Sequence, residues 1–376
     1  MRNFHAGHFI KRIGYKSFEP SRIDRTWAID DPRIVTALSA ADRQIGRLDM
    51  FSEYVPNLDM FIQMHVAKEA TLSSRIENTK TEIEEALLPE EEIKEERRND
   101  WQEVNNYIHA IRESIAALDT LPFSARLLKD AHRTLMRGVR GEHKTPGEFR
   151  TSQNWIGGSN PGNARFAPPI HEDVLELISD MERFAHNDEL QLPPLIKAGI
   201  MHYQFETIHP FLDGNGRIGR LMIPLYLVSS GILKKPVLYL SAYLEKNRAE
   251  YYDRLTRVRE EHAMVEWLHF FLDGVSETAA TGVETLNRVL KFKSEWEDQI
   301  RSWKRMSSAG LALFNDLFQV TYTDATMTAQ IADVSPPTAY KLVDRFVENG
   351  LLLEVTGARR GKFYRFEPYL ALFREN

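Results

Sequence analysis

Apolar residues recur along most of this chain at the spacing of helices that bury one face. Leu38, Ala41, Ile45 and Leu48 follow Pro32 at three- and four-residue steps, which predicts a helix that Pro56 breaks. Helical patterning resumes over 58–88, as one stretch or two. The charge run PEEEIKEERR (89–98) reads as a solvated loop or helix face. Val104, Ile108, Ile111, Ile115 and Leu118 line one face of a helix over 101–118, and another covers 124–137. The texture then changes. Residues 141–169 are rich in Gly, Pro and Asn, and two short β-prone pieces, 154–156 and 165–167, flank GGSNPGN, which signals a hairpin. Helices return over 171–185, 195–208 (read as amphipathic), 217–230, 243–261, 265–273 and 276–304. Residues 1–30 are mixed and turn-rich.

The last part of the chain has its own pattern. Residues 327–352 read as helix, turn with Pro336 and Pro337, second helix and glycine stop, and 351–367 read as two strands around GARRGK. Helix-turn-helix plus hairpin is the winged-helix pattern. The expected division is 1–120, 121–275, a helical linker 276–304, and 305–376. The fold class is mainly α, with one β-hairpin flap and a small α+β tail.

Composition narrows the class. The 376 residues are 43% hydrophobic and 27% charged, a globular balance, and a formal net charge of −6 argues against a general polyanion binder. The absence of cysteine excludes disulfides, thiolate metal sites and cysteine nucleophiles, and suits a reducing compartment. With neither a signal-peptide pattern nor a membrane-length apolar run, a soluble cytoplasmic protein is expected.

The candidate chemistry sits in HPFLDGNGRIGR, 209–220. Pro210 cannot continue the preceding helix, so His209 falls at its end. Asp213, Gly214, Asn215 and Gly216 have the residue types of a tight turn, and the next helix starts there. A glycine-rich turn feeding a helix N-terminus gathers unpaired N–H groups that bind anions. Arg217 and Arg220, three apart, share a helix face, and two guanidinium groups suit more than one phosphate. Asp213 is the turn's one carboxylate and a natural Mg²⁺ ligand beside phosphates. His209 is the group that titrates near neutrality and could take a proton from an attacking hydroxyl. A plain helical corner would explain the glycines but not the histidine, carboxylate, asparagine and two arginines in one register.

That register resembles the Fic family motif, H-x-F-x-[DE]-G-N-G-R-x-x-R, at every fixed position. GEFR, NWIGG and ARFAPP resemble the family's flap, and KPVLYLSAYLEKNRAEYYDRL its segment after the motif; the likeness covers roughly 35–275. The resemblance implies a helical Fic core that transfers AMP from ATP to a hydroxyl of a protein and releases pyrophosphate. It makes His209 the general base and Phe211 the anchor of the loop. Asp213 would hold Mg²⁺, while Asn215 and the backbone of Gly214 and Gly216 would cradle phosphates. Arg217 and Arg220 would meet the β- and γ-phosphates, and Tyr252 would line the adenine pocket. The flap, with Trp155 and Ile156, would dock an extended target segment beside the donor.

A second stretch, TLSSRIENTKTEIEE (71–85), places Ser73 and Glu77 on one helix face, followed by Asn78. By itself this is an ordinary helix surface. Beside a complete Fic motif it resembles the family's inhibitory helix, [ST]-x-x-x-E-[GN]. The resemblance implies that Glu77 pairs with Arg220 and spoils the γ-phosphate seat, and in some members the same glutamate supports removal of AMP. Expected partners are a protein target with a Ser, Thr or Tyr hydroxyl, the chain itself as a substrate, and a second copy in a homodimer.

The tail carries eight Lys/Arg against eight Asp/Glu over 305–376, and only Arg359, Arg360 and Lys362 are locally basic. DNA binding needs phosphate neutralisation, so protein docking or packing on the core fits this balance better than DNA. Two alternatives stay open: a DNA-binding regulator whose Fic core senses nucleotide, and a Fic transferase with another donor. Intact His209 with both arginines favours an active enzyme that takes a triphosphate.

Overall fold

The computed structural model describes residues 4–54, 58–357 and 361–374. Pro56 and the wing tip with Arg359 and Arg360 lie outside the described residues. The chain opens with a structured element where the sequence reads as irregular. β1 (Gly7–Lys11) and β2 (Lys16–Pro20) pair antiparallel with Phe9 opposite Phe18. Phe18 is fully buried, and its N–H donates to the Ala167 carbonyl at 2.9 Å, so the hairpin backs the flap segment.

Helices follow. α1 (Pro32–Tyr54) lies along the later α11 (Met264–Arg301); α2 (Leu58–Ile76) and short α3 (Ile83–Ala86) carry the segment around Glu77; α4 (Arg98–Ala117) packs on α2. The 58–88 stretch is therefore broken: Asn78 adopts a left-handed φ of 74°, a conformation asparagine tolerates. The acidic run 89–98 forms two single 3₁₀ turns and the start of α4. α5 (Ala125–Leu135) starts where Ser124 accepts the Leu127 N–H, and α6 (His171–His186) follows the flap.

α7 (Pro194–Ile208) and α8 (Asn215–Ser229) form the central pair. Every α7 residue from Leu195 to Ile208 is buried, so the expected amphipathic helix is enclosed on all sides. α1, α6, α8, α11 and β2 all pack on it. Some of its polar residues are matched internally. The buried His202 has Nδ1 on the Gly219 carbonyl of α8 and Nε2 on the Tyr251 hydroxyl, both at 2.9 Å.

After α9 (Ser241–Lys246) and α10 (Arg248–Glu261), one helix, α11 (Met264–Arg301), covers the span read as two. Gly274 causes no break; it gives room to Tyr243, whose ring would lie 2.6 Å from an added Cβ. The tail runs α12 (Ser307–Asp316), β3 (Tyr322–Thr323), α13 (Ala325–Ile331), α14 (Pro336–Glu348), β4 (Leu353–Glu354), β5 (Tyr364–Arg365) and α15 (Glu367–Arg374). Its sheet order is β3-β5-β4, so the expected strand pair gains a third strand from before the helix pair. Among the described residues no helix is long and apolar enough to cross a membrane.

Candidate active site

The site is built at the α7–α8 corner. His209 caps α7 in a left-handed conformation (φ 51°, ψ 60°) and its N–H donates to the Phe205 carbonyl at 2.9 Å. This backbone is unusual for a residue with a Cβ, and buried groups hold it there. Arg150, 2% exposed, donates to the carbonyls of His209 (3.0 Å), Ile208 (3.2 Å) and Pro169 (2.6 Å). Asn154 donates to the carbonyls of His209 (3.1 Å) and Phe211 (2.9 Å). Phe211 is fully buried and stacks on His132, with centroids 3.8 Å apart. His132 accepts the Gly147 N–H at Nδ1 (2.8 Å), which leaves Nε2 to donate to the Asp213 carbonyl (3.0 Å).

Gly214 takes φ 73° and leads into α8. The Asn215 side chain is spent on the loop itself: Oδ1 accepts from the Phe211 N–H and Nδ2 donates to the Phe211 carbonyl, both at 2.8 Å. Asn215 therefore offers an anion its backbone rather than its amide. The N–H groups at the start of α8 face a cleft of about 530 Å³ shared by Glu77, Trp155, His209, Asp213, Arg217 and Tyr252.

The motif's two arginines, and the lysine beside its carboxylate, already have acidic partners. Arg220, with 1% of its side chain exposed, donates to Glu77 Oε1 (2.8 Å), Ser73 Oγ (2.8 Å) and the Ser73 carbonyl (2.9 Å). Gly216 makes that approach feasible, because an added Cβ would lie 2.2 Å from Glu77 Oε1. Burial alone would raise the Glu77 carboxyl, but Arg220, Arg217 and His209 outweigh it and hold it below its ordinary value. Arg217 meets Glu103 at 3.3 Å, and its buried Nε has no partner among the described residues. Lys144 Nζ sits 2.7 Å from Asp213 Oδ2, while Oδ1 accepts the Gly214 N–H at 2.7 Å. Burial pulls Asp213 up, and Lys144 with that N–H brings it below its ordinary value.

His209 is pushed down to about 4, first by burial and then by Arg259 and Arg150. Its Nδ1 is buried without a full hydrogen bond to any described residue. His209 lines the cleft, and a neutral imidazole is able to take a proton there. Glu206, one turn earlier, is 7% exposed; its Oε1 has no partner among the described residues, and burial pushes its carboxyl up to about 7.

The structure thus gathers Ser73, Glu77, His209, Asp213, Gly214, Asn215, Gly216, Arg217, Arg220, Tyr252, Trp155 and Ile156 around one corner. Asn78 lines the same cleft, its Oδ1 accepting from Arg248 at 3.2 Å. Tyr252 is partly buried and rests on Tyr251, ring centroids 5.1 Å apart. The flap is slighter than the expected hairpin: Ile156 and Phe166 form one isolated bridge, and the next contact, Ala167, goes to β2. A 3₁₀ turn at Pro161–Asn163, closed by Asn160, takes up the residues between. Trp155 keeps 39% of its surface exposed. The sequence pattern singles out neither Lys144, Glu103, Glu206 nor His132, and it marks Arg150 only as part of GEFR and Asn154 only as part of NWIGG.

A buried helix pair presents a histidine, two arginines and an N–H-lined turn to one cleft, on a mainly helical fold. The Fic/DOC N-terminal family model matches residues 35–116 and the Fic/DOC model residues 122–227, together half of the chain; the chain belongs to the Fic/DOC family. It is 36% identical over 110 residues to protein adenylyltransferase fic-1 of Caenorhabditis briggsae, covering 29% of this chain and 19% of that one. It is 30% identical over 208 residues to a probable protein adenylyltransferase of Aquifex aeolicus, covering 55% and 59%. The chain thus spans about a fifth of the worm relative's length. A Fic family protein from Desulfovibrio desulfuricans shares the fold at TM-score 0.58 and 20% identity, over 91% of this chain and 98% of that one. A portion of Fic-1 from Caenorhabditis elegans does so at 0.53 and 21%, over 69% and 75%.

Proposed function

We propose that this protein transfers AMP from ATP to a hydroxyl side chain of a target protein, or of itself, and that Glu77 restrains the reaction. The observation that carries this reading is the neutral His209 held at the mouth of a turn that also presents Arg217 and Arg220. The target oxygen attacks the α-phosphorus, the bond to the β-phosphate oxygen breaks, pyrophosphate leaves, and His209 holds the hydroxyl's proton. Arg217 and Arg220 orient the outer phosphates, and the backbone of the turn supplies further donors. Trp155 and Ile156 flank the cleft where an extended target segment would lie.

The donor set fits Mg²⁺ held jointly with a nucleotide. Asp213 offers one half-exposed carboxylate whose Oδ2 already faces a cation, Lys144. Among the described residues no group of three or more His, Cys, Asp or Glu is placed to hold a metal alone. Mg²⁺ accepts one or two carboxylates and completes its shell with phosphate and water, and when bound it would neutralise phosphate charge. In the nucleotide-free chain Lys144 neutralises the Asp213 carboxylate itself.

The position of the label tests the reaction. Label from α-labelled ATP should enter protein and label from γ-labelled ATP should not; γ-label alone in the protein would mean phosphate transfer. His209→Ala should lower the α-label signal by about 10²–10⁴-fold, and near-normal transfer would remove His209 as the base.

A further inference from the structure

The segment that carries Glu77 is gripped from behind by the end of the chain. Before Glu77, Phe373 of α15 packs edge-on to His65 at 5.4 Å and beside Phe61 at 6.1 Å, both on α2. After Glu77, Glu84 of α3 is held twice: its carbonyl accepts from the Tyr322 hydroxyl of β3 at 2.8 Å, and its carboxylate meets Arg374 of α15 at 2.6 Å. Residues 61–84 are therefore clasped on both sides of the inhibitory glutamate, and both holds come from the tail. The clasp is continuous with the tail's own core, since Phe373 packs on Tyr369 at 5.3 Å and Tyr369 on Phe318 at 4.8 Å.

Between the two holds the packing is open. A cavity of about 400 Å³ lies between α2, α3, α9, α11 and α15, with Leu72, Arg75, Ile83, Tyr239 and Phe373 in its wall. The Tyr239 hydroxyl is buried there without a partner among the described residues. Protein cores are ordinarily close-packed and resist displacement; here α2 borders a cleft along one side. The same helix brings Ser73 and Glu77 onto Arg220. α4, α8 and α9 also pack on α2, so release of the tail's two holds loosens the helix on its open side and leaves its other contacts in place.

We infer that the C-terminal module sets how firmly Glu77 sits on Arg220, so that drawing α15 and β3 away from α2 and α3 opens the nucleotide seat. This regulation rests on the reading of Glu77 as a restraint. It assigns the tail a function inside the molecule and couples whatever engages the tail to the chemistry.

The test uses the full chain with two variants: Phe373→Ala/Arg374→Ala, and the milder Tyr322→Phe/Arg374→Gln, which leaves the tail's aromatic core intact. Amide hydrogen exchange over residues 58–86 needs no transfer chemistry and should quicken in both. Self-modification from α-labelled ATP should rise about fivefold or more, the range of ordinary allosteric coupling. In a Glu77→Gly background the same substitutions should add nothing, because the restraint is already gone. Unchanged exchange over 58–86 in the milder variant would overturn the clasp, and so would an equal rise in the Glu77→Gly background. If no variant transfers AMP, the functional reading fails, while the exchange data still decide whether the tail holds the segment. Where the alanine pair unfolds the tail, the milder pair alone decides.

Discussion

At the scale of single residues, the chemistry depends on how His209 is held. The αL cap, Arg150 and Asn154 fix its backbone, and burial with two nearby guanidinium groups keeps the ring neutral. The sign is clear: a histidine pKa pushed from 6.5 to about 4 leaves the free base dominant through the neutral range. The acid limb of kcat/KM, which reports the free enzyme, should therefore fall well below pH 6.5 in Glu77→Gly protein. Glu77 pulls the His209 pKa upward, so its removal does not move the limb toward neutrality. A pH–rate profile of α-label transfer checks this, and a limb at or above pH 6.5 would mean that another group titrates.

At the scale of elements, legibility follows the strength of local signals. The α7–α8 corner is readable because Pro210 ends one helix and DGNG is turn chemistry at fixed offsets. The proposed restraining role of the Ser73–Glu77 segment is readable only through resemblance, since a serine and a glutamate four apart occur on many helix surfaces. The N-terminal hairpin escapes the pattern because its five-residue strands bury little large apolar surface besides Phe18, which packs on the distant Phe166 and Ala167. α11 reads as two helices split near Gly274, where packing against Tyr243 overrides the glycine's low helix propensity. Lys144 and Glu103 have no sequence signal, because their partners lie 69 and 114 positions away, and Glu206 has none because a single glutamate in a helix is commonplace.

For the whole molecule, the buried histidines set a response to acid. His65 is pushed down to about 3, and His132, His202 and His209 to about 4, each mainly by burial. Below pH 6.5 the unfolded chain binds protons at these sites that the native chain refuses, so stability falls as pH drops toward 4. Glu206 acts in the opposite direction: its native carboxyl, raised to about 7, binds a proton that the unfolded one lacks above 4.5. Four groups outweigh one, so melting temperature should decline between pH 6.5 and 4.5. A thermal series in which the protein gains stability over that interval would contradict the buried, neutral state of the four rings. The tail belongs to this scale as well, since the Tyr322 hydrogen bond to Glu84 joins residues 238 positions apart.

The central claim is that Glu77 restrains a competent enzyme by occupying Arg220. Separating a fully buried charge pair costs roughly 3–5 kcal/mol; the cost is smaller here because 37% of the Glu77 side chain is exposed. Arg220 cannot hold both this carboxylate and a γ-phosphate, so the competitor's loss should improve donor alignment. The most direct measurement is AMP incorporation, read by intact-protein mass spectrometry after incubation with ATP and Mg²⁺, in wild type against Glu77→Gly. The variant should gain the mass of AMP, on itself or on a protein in a lysate, at a rate orders of magnitude above wild type. A folded Glu77→Gly protein that binds ATP and incorporates AMP no faster than wild type would contradict the account.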